Sequence, residues 1–370
     1  MARLRTRHII LCAITIIFLY HTLPRDGVRP APFSTSSHRV SRAGTIALAK
    51  YMNNPNYIPK IVATESSFAW NRVNFQYPPP RTPKLPPPFT KRPRIQYQFR
   101  PDTPGVAALQ EERRIEVKRV FKKSWASYKS KAWMKDALKP LSGEYVNQFS
   151  GWAATLVDSL DTLWIMGLRD EFWDAVGAVA TIDFGKSTAQ TVNMFETCIR
   201  YLGGLIAAYD LSGSQALKAK AVEVGDLLYA GFNTENNMPV DFIGFQAAKE
   251  GLGLPVEDKV ASAGPGTLSL EFSRLSQITG DSKYYSVISN LMDTFYENQN
   301  KTELPGMWPM MVSMRDKDVV TGSTFTVKGN ADSLYEYLPK TYATPGHKVD
   351  SPQFQDKTFP RNGLTLHCYL

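Results

Sequence analysis

Ala153-Ala154-Thr155-Leu156-Val157-Asp158-Ser159-Leu160-Asp161-Thr162-Leu163-Trp164-Ile165-Met166-Gly167-Leu168 is apolar on almost every side of a helical wheel, yet it carries Asp158 and Asp161 one turn apart. A helix of that kind belongs inside a helical assembly, enclosed by its neighbours, with its acids facing something polar. On either side of it the apolar period predicts helices over 107–134, 170–181, 188–210, 215–230, 266–279, 282–298 and 330–341, joined by short connections. Tyr209-Asp210-Leu211-Ser212-Gly213 and Ser276-Gln277-Ile278-Thr279-Gly280 each end a helix on a glycine and reopen into the next helix, 67 residues apart. Repeated antiparallel hairpins make either an α-solenoid or a closed α/α barrel. The enclosed helix favours the all-α, α/α barrel reading, with inner helices at 153–167, 188–210 and 266–279. Gly203 and Gly204 favour it too, since they let inner helices approach closely at about 1 kcal/mol each relative to Ala. Residues 307–326, with Pro309 and Gly322, are expected to form a loop or hairpin and the only strand content.

The 370 residues carry a net charge of +9, which invites a nucleic-acid reading. The charge is uneven, however: residues 1–105 hold 16 Lys/Arg against 3 Asp/Glu, and residues 106–370 hold 27 against 31. The helical part is therefore mildly acidic and no nucleic-acid partner is expected. The histidines are His8, His21, His38, His347 and His367, so the central chain lacks an imidazole. That excludes Ser-His-Asp and Cys-His nucleophiles and His-ligated zinc there, and leaves carboxylates for proton transfer. Cys12, Cys198 and Cys368 offer no convincing pair, so no disulfide is expected.

Four segments follow. Residues 1–23 combine Arg3, Arg5 and Arg7 with the apolar run Ile9 to Tyr20 and read as a signal anchor with a cytosolic N-terminus; a cleaved signal peptide is the alternative. Residues 24–105 hold 15 of the 25 prolines without apolar period and read as a stem. Residues 106–342 form the helical domain, and 343–370 an atypical polar tail. Asn300-Lys301-Thr302 is the single Asn-x-Ser/Thr triplet and a candidate glycosylation site.

Each acid has a plain structural reading. Glu196 and Arg200, four apart, make a helical ion pair; Asp332 caps its helix; Asp158 and Asp161 brace backbone. Glu336 shares a helix face with Asp332, a repulsive pairing that asks for a reason, and Glu271 sits among apolar residues and needs a buried partner. Several inward carboxylates with no histidine suit acid and base work on a glycosidic bond.

Leu156 to Gly167, Phe195-Glu196-Thr197-Cys198-Ile199-Arg200 through Leu205, Ser269-Leu270-Glu271-Phe272 through Asp281, and Ala331-Asp332-Ser333-Leu334-Tyr335-Glu336 through Leu338 resemble glycoside hydrolase family 47, the class I α-1,2-mannosidases, in the family's order. The resemblance implies an α/α barrel of seven helical hairpins and removal of terminal α-1,2-linked mannose from high-mannose N-glycans with inversion. It also implies Ca²⁺ at the barrel floor and a type II membrane protein of Golgi or endoplasmic reticulum with the catalytic part lumenal. Glu196 matches the catalytic acid, acting through a water, and Asp332 a second catalytic carboxylate. Arg200, Glu271 and Glu336 match the mannose site, and Asp158 or Asp161 an acid needed for activity. Asn330 stands where branch specificities differ.

The likeness ends near Tyr342, and the family's later Glu and its Ca²⁺-binding Thr have no counterpart, so an incomplete toroid with exposed apolar edges is expected and no metal ligand is named. Cys198 replaces a commoner Thr, and Pro339 is expected to interrupt the last helix. Arg200 is expected to face substrate or another carboxylate, because direct pairing would favour the ionised form of Glu196 and leave it no proton to give. Two alternatives remain: a non-hydrolytic glycan-binding relative, and an α-solenoid scaffold with structural carboxylates only.

Overall fold

In a computed structural model the described residues are 58–86 and 97–343. They fall within one compact unit. The expected anchor, residues 24–57 and 87–96 of the expected stem, the tail from 344, Cys12 and Cys368 lie outside the described residues.

Helix α1 spans Pro104–Lys131, opening with proline at its first position, where no N–H is needed. Next come α2 (Ala154–Asp158), α3 (Leu160–Ile165) and α4 (Arg169–Val179). Helix α5 runs without a break through Met194–Glu196, Thr197–Leu202 and Gly203–Ser212. It is followed by α6 (Gln215–Ala230), α7 (Phe245–Lys249), α8 (Ala263–Gly266), α9 (Ser269–Thr279), α10 (Lys283–Asn298) and α11 (Asp332–Ala343).

Helices α3, α5, α9 and α11 succeed one another side by side as an inner layer. The first three return through α4, α6 and α10 respectively. The chain is thus all-α, layered as an α/α barrel is layered. Leu156, Val157, Leu160, Leu163, Tyr201, Leu205, Phe272 and Leu275 are fully buried between the layers. Each such aliphatic or aromatic side chain contributes about 1.5–3 kcal/mol by leaving water. The hairpin glycines behave as their spacing implies. Gly213 and Gly280 have φ of +71° and +76°, and their N–H groups return to the carbonyls of Tyr209 and Ser276. At Gly204 an added Cβ would stand 3.0 Å from the Val157 carbonyl, so α5 and α2 approach backbone to backbone there.

Several expectations need correction. The 153–167 helix breaks at Ser159, whose hydroxyl donates back to the Thr155 carbonyl at 2.6 Å. It is not enclosed on every side either: Ile165 is 73% exposed. Residues 191–193 are strand, not helix. Three two-stranded antiparallel pairs occur among the described residues: β1 (Ala137–Leu138) with β2 (Tyr145–Val146), β3 (Thr191–Asn193) with β4 (Phe242–Gly244), and β5 (Val260–Ala261) with β6 (Met311–Val312). Strand content is therefore not confined to 307–326. Pro339 lies within α11, which runs on to Ala343.

The packed chain also starts earlier than residue 106. Residues 58–86, assigned above to the stem, run along the outer helices. Trp70 is buried and its Nε1 donates to the Phe184 carbonyl at 3.0 Å. The Tyr77 N–H donates to Asn233 Oδ1 at 2.8 Å, and Ser286 Oγ donates to the Pro80 carbonyl at 2.6 Å. Buried Lys220 donates to the carbonyls of Thr64 and Ile182 and to Glu223. None of the described helices is long and apolar enough to cross a membrane.

Candidate active site

Strand β3 delivers the chain into α5, and Asn193 is the hinge between them. Its Oδ1 accepts the Glu196 N–H at 2.8 Å, satisfying one of the first-turn donors that have no carbonyl within the helix. Directly after Glu196 the helix widens into a π-helical stretch, Thr197–Leu202, a rare geometry that recurs at functional sites.

Arg200 sits in that stretch. Its Nε donates to Glu196 Oε2 at 2.7 Å, and its Nη1 pairs with Asp158 Oδ2 at 3.3 Å. Its guanidinium lies 4.8 Å from the Phe149 ring centre. The expectation that Arg200 avoids Glu196 is therefore half wrong: it holds Glu196 and a second carboxylate together. The reason is the i, i+4 spacing on one helix face, which brings the two side chains together at little entropic cost. Partial burial, outweighing the attraction of Arg200, holds the Asp158 carboxyl above its usual range, and the charges of Asp161 and Glu196 add to this. With 46% of the Asp158 side chain exposed, water screens much of that effect.

Glu271, on α9, faces a different environment. Tyr337 Oη of α11 donates to its Oε1 at 2.7 Å, and the Cys198 thiol of α5 lies against its carboxyl. Its Oε2 is sealed from solvent without a hydrogen-bond partner. Burial pushes the carboxyl up to about 7, against the pull of the Tyr337 hydrogen bond. Burial likewise raises the Cys198 thiol, with the neighbouring Glu271 adding to it. Gly203 makes room here: an added Cβ would meet Glu271 Oε1 at 3.5 Å.

Helix α11 carries the remaining candidates. Asp332 Oδ1 accepts the N–H of Ser333 at 2.9 Å, and Ser333 Oγ in turn accepts from Thr267 at 2.8 Å. Glu336 is 61% exposed and stands 4.0 Å from Lys340. Asn330, in the left-handed region at φ +76°, accepts the Ala263 N–H through its carbonyl. The structure thus gathers Glu196, Arg200 and Asp158, with Asp161 close by, and joins Glu271 to α5 and α11. Among the described residues no hydrogen bond or ion pair links Asp332, Glu336 or Asn330 to the Glu196 group. Asn300 is exposed just past α10, while Thr302 is buried with its hydroxyl donating to the Leu304 and Met307 carbonyls.

Three residues that shape this site escape the sequence reading. Asp136, 1% exposed, accepts the N–H groups of Phe149, Gly151 and Ala154 and the Tyr201 hydroxyl, and so fixes the loop that enters α2. No local pattern announces that. Tyr337 is readable only once α9 and α11 are known to touch. Asn193 does leave a trace: Asn-x-x-Glu before an apolar helix is a helix-start pattern. No group of three or more His, Cys, Asp or Glu able to hold a metal ion occurs among the described residues.

The family model described as "Glycosyl hydrolase family 47" matches residues 120–357. Mannosyl-oligosaccharide 1,2-alpha-mannosidase MNS1 of Arabidopsis thaliana is 37% identical over 246 residues, covering 66% of this chain and 42% of the plant protein. The endoplasmic reticulum mannosyl-oligosaccharide 1,2-alpha-mannosidase of Rattus norvegicus is 33% identical over 261 residues, covering 69% and 38% respectively. Among solved structures, an alpha-1,2-mannosidase from Trichoderma reesei superposes with a TM-score of 0.60 at 28% identity, covering 67% of this chain and 53% of that one. The chain spans about two fifths of the length of these two curated relatives.

Proposed function

Because this chain belongs to glycosyl hydrolase family 47, we propose that it removes terminal α-1,2-linked mannose from high-mannose N-glycans with inversion at the anomeric carbon. The observation that carries the reading is the Glu196–Arg200–Asp158 group, two carboxylates bound to one guanidinium at the start of an inner helix and still partly open to solvent. Glu196 is the acid that protonates the leaving oxygen through a water, and Asp332 the second catalytic carboxylate. Arg200, Glu271, Glu336, Asp158, Asp161 and Asn330 line the sugar site. Arg200 fixes the direction in which the Glu196 carboxyl points, so that proton delivery occurs from a set position. Glu271, pushed up to about 7 by burial and held by the Tyr337 hydroxyl, ties α9 to α11 at the edge of that site.

Calcium, when bound, supplies a cation that holds sugar hydroxyls. The described residues offer no acidic or imidazole cluster that fits it. The relatives named for the endoplasmic reticulum, the basic N-terminus and the apolar run after it support a type II membrane protein of the secretory pathway, in Golgi or endoplasmic reticulum. The catalytic part is then lumenal, with Asn300 glycosylated.

The direct Glu196–Arg200 ion pair favours a second reading, a glycan-binding or scaffold protein in which these charges only brace helices. Mannose release from a high-mannose N-glycan separates the two. Hydrolysis that falls by about 10² to 10⁴ in Glu196→Gln, with glycan binding retained, is the expected outcome. Binding without release by the unaltered chain supports the second reading.

A further inference from the structure

We infer that Asn193, held by the start of β4 at Asp241 and Phe242, is a positioning residue for Glu196. The inference rests on the hydrolase reading for its kinetic consequence but not for its geometry. In the first turn of a helix the N–H groups have no helical acceptor, so the chain there is fixed by a side chain or left to water. The Glu196 N–H is such a group, and Asn193 Oδ1 takes it at 2.8 Å. On the other side of Glu196 the helix widens into the π-helical stretch that carries Arg200, so the following backbone is not a regular α-turn. The rotation of Glu196 toward Arg200 is therefore set from the Asn193 side.

Asn193 is itself fixed from behind. It pairs with Phe242 in the β3–β4 register, and the Met194 N–H donates to the Asp241 carbonyl at 2.9 Å. Its own Nδ2 reaches Asp241 Oδ1 at 3.5 Å, at the limit of a hydrogen bond. The Glu257 carboxylate accepts both the Asp241 N–H, at 2.9 Å, and the Phe242 N–H, at 3.3 Å. One carboxylate thus holds the start of β4, that backbone holds Asn193, and Asn193 holds the N–H of the residue whose carboxyl meets Arg200. None of the three needs to touch substrate to act.

Nitrogen-15 spectra of arginine-labelled full-length chain read this arrangement without reference to turnover, through the Arg200 Nε–H that donates to Glu196. Asn193→Ala should move that signal toward the position of a solvent-exposed arginine. Asn193→Ser, which restores an N-cap acceptor, should return it. In kinetics on a high-mannose N-glycan, Asn193→Ala should lower kcat by about 10- to 100-fold with KM within about 2-fold, with recovery in Asn193→Ser. Glu257→Gln, which keeps acceptor capacity on one oxygen only, should fall between wild type and Asn193→Ala. An Arg200 signal unmoved in Asn193→Ala overturns the inference, as does an equal shift in the Ser and Ala variants. Absence of mannose release by the unaltered chain refutes the hydrolase reading instead, and the spectra still decide the positioning claim.

Discussion

Glu271 shows how a single side chain ties chemistry to stability. Its carboxyl is raised from 4.5 to about 7 because burial penalises the charged form more than Tyr337 compensates it. The folded chain therefore binds this proton more tightly than the unfolded chain does. The contribution is present in full below about pH 4.5 and is lost as pH rises through about 7. Denaturation midpoints followed across that window should show a descending component that Glu271→Gln removes. An unchanged slope in that variant would place the proton elsewhere. Tyr337→Phe takes away the hydrogen bond that favours the ionised form, so the loss of stability should begin at the same pH and extend further upward. At this scale the sequence exposed the residue types but not their partners. Glu271 announced its need by standing among apolar neighbours, whereas Tyr337, 66 positions away, answered it only through the packing of α9 on α11.

At the scale of elements, helices were legible where one face or one cap repeats. Gly213 and Gly280 marked two hairpins because only a left-handed terminus places a glycine there with the next helix following at once. The β3 strand was absorbed into the predicted 188–210 helix because three residues are too few to show a period of two. The segment 58–86 was hidden by its prolines, although Ile61, Phe68, Trp70, Val73 and Phe75 supply it with apolar contacts. Its attachment can be tested at Lys220, which is fully buried and joins Thr64, Ile182 and Glu223. Lys220→Met keeps the volume but leaves Glu223 without its cation and two carbonyls without their donor. It should cost about 3–5 kcal/mol in chemical denaturation. A loss below 1 kcal/mol would mean that the segment is held by its other contacts and not by Lys220. The close approach of α5 and α2 makes a second claim. Gly204→Ala drives a methyl to 3.0 Å from the Val157 carbonyl and should destabilise by about 1–3 kcal/mol, where the same change in an exposed helix would stabilise.

For the whole molecule, the distribution of charge and apolar surface matters more than any one contact. Arg3, Arg5 and Arg7 ahead of the apolar run Ile9 to Tyr20 support an N-terminal membrane anchor, and retention in the membrane pellet after carbonate extraction is the expected result. Release with soluble lumenal proteins would favour a cleaved signal. Val106, Leu109, Ile115, Val117 and Val120 lie exposed along α1, so the chain alone should self-associate at micromolar concentration in sedimentation velocity. A monodisperse monomer would contradict that. The central claim is inverting hydrolysis of an α-1,2-mannosidic bond, and the anomer of the first product tests it most directly. Proton spectra recorded before mutarotation should show β-mannose as the initial product, at a rate that collapses in Glu196→Gln. Initial release of α-mannose, or release that Glu196→Gln leaves intact, would contradict it.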